Sequence, residues 1–332
     1  MIKTKNAPGK NNRKGLSLPQ LFQKFPDDQT ARLWMEKIVW PDGPVCPYCG
    51  SKNVQSNIAH SSMTHRCRDC PGKPRFSVRT GTVMQSSKLG YQTWAIAIYL
   101  MITSLKSVSS MKLHRDLNIT QKSAWHLAHR IRKTYDMGAL MDLFSGEVEA
   151  DETYMGGKEK NKHADKKLHS GRGAVGKQAV IGMKNRETKQ VVAQVMSEPN
   201  KQNVQSFVEG NTEPTTQVYT DESLLYKGIN RPHESVKHSV GEYVSDMAHT
   251  NGIESFWSML KRSYQGTFHK ISPKHLDKYI MEFAGKQNIR EMGTLEQMGW
   301  MVEGLKDKSL QYIDLKQCNG LSNGARSKIV DR

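Results

Sequence analysis

Four cysteines and a small set of charged residues stand out by type and spacing. Cys46 and Cys49 form one CxxC pair, Cys67 and Cys70 form a second, and 17 residues separate the pairs. A two-residue gap lets both thiolates of a pair reach one ion, and two pairs at this separation are the pattern of a tetrahedral four-cysteine zinc site. Such a site leaves no ligand position for water, so it folds a module rather than catalyses. Arg66, Arg68, Lys73, Arg75 and Arg79 surround the second pair, which makes the module a candidate DNA-binding zinc ribbon. The remaining cysteine, Cys318, reads as a buried or idle thiol.

The second set is acidic. Asp151 ends the strand-like run Glu147-Val148-Glu149-Ala150, and Asp221 ends a later strand after Val218 and Tyr219. Glu254 lies on an amphipathic helix whose buried stripe is Ile253, Phe256, Trp257 and Leu260; Asn251 and Lys261 lie on a neighbouring face with it. Taken singly, each acid is a solvated charge at the end of an element. In the order strand acid, hairpin, strand acid, helical acid, they are what a ribonuclease-H-like fold would use to group carboxylates around two divalent ions. Phosphodiester hydrolysis needs an activated nucleophile on one side and a stabilised leaving oxygen on the other. Oxygen ligands suit Mg²⁺ or Mn²⁺. Carboxylates crowded together repel one another without metal, so an empty centre is expected to be partly protonated or disordered. Glu152 and Glu222 are left out of the set, because regular alternation turns them to the opposite face of their strands.

The elements that must position these residues follow from periodicity and turn chemistry. Residues 1–15 are polar and basic and are expected to stay disordered until they meet a partner. Residues 16–84 hold short N-terminal helices and the zinc ribbon, and 85–140 are helical. Within the latter, helices over about 109–117 and 121–135 flank Asn118-Ile119-Thr120 and read as a helix-turn-helix. Its second helix buries Ala124, Leu127, Ala128 and Ile131, which leaves Lys122, His126, His129, Arg130 and Lys133 to face outward toward a DNA groove.

A domain boundary is placed near residue 140, where helix gives way to strand. Residues 141–290 read as a mixed α/β domain, with a hairpin over 178–196, strands near 216–220 and 235–240, and helices over 251–264 and from Ser272-Pro273 onward. Residues 291–332 are a C-terminal helix and a tail that is loose from Lys316. The segment Met155–Lys177, with seven Lys and Arg against two acids, is a long basic loop and a candidate DNA clamp. His249, His269 and His275 read as polar or DNA-facing residues rather than metal ligands.

Composition sets the outer limits. The chain has 332 residues, 36% of them hydrophobic, enough for two or three compact units and incompatible with a disordered tail or a small disulfide scaffold. It carries 49 Lys and Arg against 32 Asp and Glu, a net charge of +17, which points to a polyanion such as nucleic acid. No run approaches the roughly 20 apolar residues of a membrane helix. The basic start lacks the apolar stretch of an export signal, so the reducing cytoplasm, in association with the nucleoid, is the expected compartment.

With these motifs in place, the chain resembles the zinc-ribbon-bearing, ISXO-like group of insertion-sequence DDE transposases. The resemblance spans roughly Leu18 to Arg290 and is carried by CPYCGS with CRDC, SVSSMKLHRDLNITQKSAWHLAHRIR, ADETYMGGK, VYTDES and HTNGIESFWSMLKRSYQGTFHKIS. It implies a multidomain protein: a zinc ribbon and helix-turn-helix helices, then a mixed α/β ribonuclease-H-like catalytic domain. The implied activity is metal-dependent cleavage at transposon ends, followed by strand transfer into target DNA. Asp151, Asp221 and Glu254 would be the Mg²⁺ or Mn²⁺ ligands, and Lys261 the basic residue near the scissile phosphate. Arg262, Lys122, Arg130 and Lys133 would be further DNA contacts. Asn251 is the alternative third ligand; Glu254 is preferred because a carboxylate binds Mg²⁺ better than an amide does, and because of its spacing to Lys261. The partners implied are double-stranded DNA and other copies of the chain, since both ends must be held together. Two other readings share these features: a non-cutting DNA-binding regulator derived from such an enzyme, and a structure-selective nuclease of the same fold.

Overall fold

The computed structural model describes residues 14–136, 142–157, 176–236 and 249–317. In chain order the elements are α1 (Leu18–Lys24), α2 (Asp28–Val39), β1 (Val54–Gln55), β2 (His65–Cys67), β3 (Arg75–Phe76), α3 (Tyr91–Thr103), α4 (Ser110–Leu117) and α5 (Gln121–Thr134). There follow β4 (Glu147–Met155), β5 (Gln178–Asn185), β6 (Val191–Met196), α6 (Lys201–Gly210), β7 (Gln217–Asp221), β8 (His233–Val236), α7 (Asn251–Ser263), α8 (Pro273–Asn288), α9 (Thr294–Glu303) and α10 (Tyr312–Lys316). The described residues divide into two compact units, one holding 14–136 with 289–316 and the other 142–157, 176–236 and 249–288 with 317. The C-terminal helices α9 and α10 therefore fold with the N-terminal unit. Among the described residues no helix is long and apolar enough to cross a membrane. The N-terminal tail, most of the basic loop after Met155, Cys318 and the tail beyond it lie outside the described residues.

In the first unit α3 is apolar on nearly every side, with Trp94, Ala95, Ala97, Ile98 and Met101 fully buried. It packs against α2, α4, α5 and α9, as a helix without a polar face must. The turn between α4 and α5 is made by Asn118 in the left-handed conformation (φ 49°), followed by Thr120, whose side chain caps α5 by accepting from the Ser123 N–H. Asn tolerates that conformation because its short amide bonds locally.

The face of α5 expected to look outward is only partly exposed. His129 is fully buried and Arg130 is 9% exposed. The Arg130 Nε donates to the Leu310 carbonyl at 3.0 Å, and another guanidinium nitrogen donates to the Gln85 carbonyl at 3.1 Å. The expectation that Arg130 faces DNA is thus corrected: main chain from residue 310, 180 positions away, covers it. Tyr312 packs against Trp125 and His126, and Lys133 is half-buried and paired with Asp136 at 2.5 Å. Lys122 alone of the five stays exposed, with its ammonium over the Tyr312 ring.

The second unit is built on a five-stranded sheet of order β6-β5-β4-β7-β8. The first three strands form an antiparallel meander; β7 and β8 run parallel to β4. Alternation sends Val148, Ala150, Ile181 and Met183 to one face, where they meet Val204, Phe207 and Val208 of α6. It sends Val180, Val191 and Met155 to the other, against Ile253, Phe256, Trp257 and Leu260 of α7 and Leu276, Ile280 and Phe283 of α8. Both faces of the sheet are covered, which explains the nearly continuous burial of β5.

Candidate functional site

The zinc module is a three-stranded antiparallel sheet, β1-β2-β3, with its two CxxC turns at one end. In the first turn Gly50 takes a positive φ (73°), and its N–H donates back to the Cys46 carbonyl at 2.9 Å. Asp69 ties the second turn to the first by accepting from Ser51 at 2.5 Å and from the Asn53 amide at 2.6 Å. Trp40, His65 and Phe76 pack as an aromatic cluster beside Cys67. Burial, aided by the Arg32 charge, pushes the His65 imidazole down to about 4, so this ring is neutral and packs as an apolar group.

All four sulfurs lie within 4.8 Å of one another, with Cys46 to Cys70 at 3.8 Å and Cys49 to Cys67 at 3.7 Å. Sulfurs held about 2.3 Å from a tetrahedral zinc ion are about 3.8 Å apart. The thiols are unbridged and their spacing fits the ion.

The acidic centre lies where β4 loses a neighbour. β4 pairs with β5 as far as Met155 but with β7 only as far as Glu149. Asp151 therefore sits in mid-strand and not at the strand end that the sequence predicts, and among the described residues no strand pairs with the β7-facing edge beside it. Asp221 closes β7 at the same level, and its carboxylate accepts from the Ser223 N–H at 3.1 Å. Asp151, Asp221 and Glu152 each bring a carboxylate oxygen within 4.8 Å of the others. Burial, then the Asp221 charge and more weakly that of Glu254, holds the Asp151 carboxyl up at about 6. Burial and Asp221 hold Glu152 at about 7.

The inclusion of Glu152 corrects its omission. Alternation does hold, since Asp151 faces Trp257 of α7 while Glu152 shares a face with Tyr226. The signal of Glu152 in the sequence was adjacency to Asp151, which strand geometry alone argued against.

Glu254 lies on the first turn of α7, accepts from the Thr250 hydroxyl at 2.9 Å, and is not one of the three acids within 4.8 Å. Its charge reaches Asp151. Asn251 is the first residue of α7 and is exposed, as are Lys261 and Arg262 in its last turn.

A further acid was missed. Glu149 is 2% exposed. It accepts from the Arg186 Nε at 3.1 Å and from the Ile253 N–H at 2.9 Å, and lies 3.2 Å from His249 Nδ1. Thr250 makes no side-chain cap on α7, so this strand carboxylate caps the helix instead. Arg186 also pairs with Glu147 at 3.2 Å, donates to the His249 carbonyl at 2.6 Å and stacks on Tyr219. One guanidinium thereby joins β4, β7 and the approach to α7, the elements that carry the acids. In the sequence Arg186 was merely part of a polar turn; the sign available was an acid, Glu149, between apolar Val148 and Ala150.

No curated protein matches the chain. Residues 143–288 match the ISXO2-like transposase domain, a stretch that contains Asp151, Asp221, Glu254 and Lys261. Residues 26–72 match the transposase zinc-ribbon domain, which contains all four clustered cysteines. With both matches in this order and spanning more than half the chain between them, the protein belongs to the zinc-ribbon-bearing, ISXO-like group of insertion-sequence DDE transposases.

Proposed function

We propose that the protein cuts DNA at the ends of its own element and joins those ends to target DNA, using divalent ions held by Asp151, Asp221 and Glu254 in a ribonuclease-H-like catalytic domain. The observation that carries this reading is the convergence of Asp151 and Asp221 at the open edge of β4. An octahedral Mg²⁺ shell spans about 4.2 Å from oxygen to oxygen across the ion, so a carboxylate cluster of this size fits it. The sheet order, an antiparallel meander followed by two parallel strands, supports the ribonuclease-H-like assignment, as does an acid-bearing helix after the last strand. When bound, Mg²⁺ or Mn²⁺ supplies a nucleophile active at neutral pH and charge stabilisation for the leaving oxygen.

The chain's own residues do the rest. Asp151 and Asp221 hold the reacting phosphate's site at the end of β7, and Glu254 approaches from α7. Lys261 and Arg262, exposed on the same helix, contact the phosphodiester backbone beside the cut. Water cleaves one strand at each end, and the freed 3′-hydroxyl then attacks a target phosphodiester bond in line, displacing a target 3′-oxygen. The zinc ribbon and the α4–α5 helix-turn-helix bind duplex DNA, with Lys122 and Lys133 as backbone contacts. Two ends must be held at once, so the working form is a homo-oligomer.

The test is Mg²⁺- or Mn²⁺-dependent cleavage of DNA carrying the element's ends, with and without target DNA. Asp151→Asn, Asp221→Asn and Glu254→Gln are expected to bind DNA without cutting it, while Asn251→Ala still cuts. Native protein that binds the ends and cuts with neither metal would be a regulator, and cutting without joining would mark a nuclease.

A further inference from the structure

Glu152 and Tyr226 make up a part of the acidic centre that the three-acid reading leaves unused. Tyr226 is fully buried, in the core between the sheet and α6. Its hydroxyl sits beside the Glu152 carboxylate, and the phenol feels the charges of Glu152, Asp151 and Asp221 together. Both atoms are buried, and although phenol and carboxylate lie close enough to interact, among the described residues neither the Tyr226 hydroxyl nor Glu152 Oε1 makes a hydrogen bond of good geometry. An unsatisfied buried hydroxyl or carboxylate oxygen is costly, and native proteins rarely keep two side by side without a reason. Glu152 meanwhile brings a carboxylate oxygen within 4.8 Å of Asp151 and Asp221. Glu254 is not in that group and is engaged with Thr250.

We propose that Glu152 is a metal-binding residue of the centre, completing a divalent-cation site with Asp151 and Asp221, and that Tyr226 is the positioning residue that orients the Glu152 carboxylate toward the ion. This rests on the metal-centre reading above and deepens it. Three carboxylates from two adjacent strands suit a hard cation, and an ion among them offsets their mutual repulsion. The phenol would donate to the ligand oxygen turned away from the ion, the usual role of an outer hydrogen bond at a metal carboxylate.

The test is Mn²⁺ binding to the full-length, zinc-loaded protein without DNA, followed by calorimetry and by the Mn²⁺ electron paramagnetic resonance signal. Asp151→Asn, Asp221→Asn and Glu152→Gln are each expected to weaken binding at least tenfold. Glu152→Asp should recover part of the loss, Tyr226→Phe should weaken binding severalfold, and Glu198→Gln, an exposed acid outside the centre, should stay within twofold of the native protein. Thermal melts without Mn²⁺ verify that each variant is folded. The inference is overturned if Glu152→Gln binds within twofold of the native protein while Asp151→Asn and Asp221→Asn lose the ion. It fails together with the metal-centre reading if neither aspartate variant changes binding.

Discussion

Gly182 lies under Trp257. Gly182 is the cross-strand partner of Asp151, and a Cβ added to it would come within 2.6 Å of the Trp257 Cη2 and 2.8 Å of its Cζ2. The absence of a side chain on β5 thus lets the indole lie against the sheet beside Asp151. This close approach sets the distance between α7, which carries Glu254 and Lys261, and the strand that carries Asp151.

Gly182→Ala should therefore cost about 1–3 kcal/mol of stability by overpacking, because the methyl group meets the rigid six-membered ring of the indole rather than the end of a flexible chain. Urea titration of the two proteins gives the difference directly. Equal midpoints would show that α7 can lift away without loss, and that the contact does not set its height.

Arg186→Met should destabilise the second unit by about 3 kcal/mol, since it leaves Glu149 charged and buried. Adding Glu149→Gln should restore part of that loss, because the amide oxygen can still accept from Ile253. If the double variant is no more stable than Arg186→Met alone, the stacking on Tyr219 matters more than the ion pair.

The metal-free protein should lose stability as pH rises. Asp151 titrates at about 6 and Glu152 at about 7 in the folded chain, above the unfolded values of about 3.9 and 4.3. Between those limits the native state binds more protons than the unfolded state, so stability falls from about pH 4 to about pH 7 and then levels. Metal favours the deprotonated form, so Mn²⁺ affinity should climb across the upper part of the same window. Melting curves of native protein and of Asp151→Asn/Glu152→Gln, run without Mn²⁺ over this range, would differ in slope; parallel curves would contradict the shifts.

Lys122 and Arg130 should separate DNA contact from scaffold. Lys122→Ala should leave the melting temperature unchanged, weaken DNA binding across sequences and lower the salt dependence by about one phosphate contact. Arg130→Ala should lower the melting temperature, because it strips a donor from the carbonyls of buried Leu310 and of Gln85. An Arg130→Ala protein of native stability with reduced DNA affinity would restore Arg130 to the outward face.

Local chemistry was legible. The paired CxxC turns, the β5–β6 hairpin, the amphipathic stripe of α7 and the strand that delivers Asp221 all depend on residues within a few positions of one another, so spacing and periodicity reveal them. Arg130, Glu149 and Glu152 were less so, for one physical reason. Whether a charged side chain is exposed, paired or turned toward a neighbour depends on what packs over it, and those partners lie far along the chain at Leu310, Ile253 and Tyr226.

Residue type and short-range spacing were enough for the four-thiolate module, the order of the acids and the family they belong to. Which acids meet depends on how distant strands pair. β4 stays paired with β5 to Met155 but parts from β7 at Glu149, and that unequal pairing opens the edge where Asp151, Glu152 and Asp221 converge. Strand register is a property of two chain segments at once, and no single segment carries it.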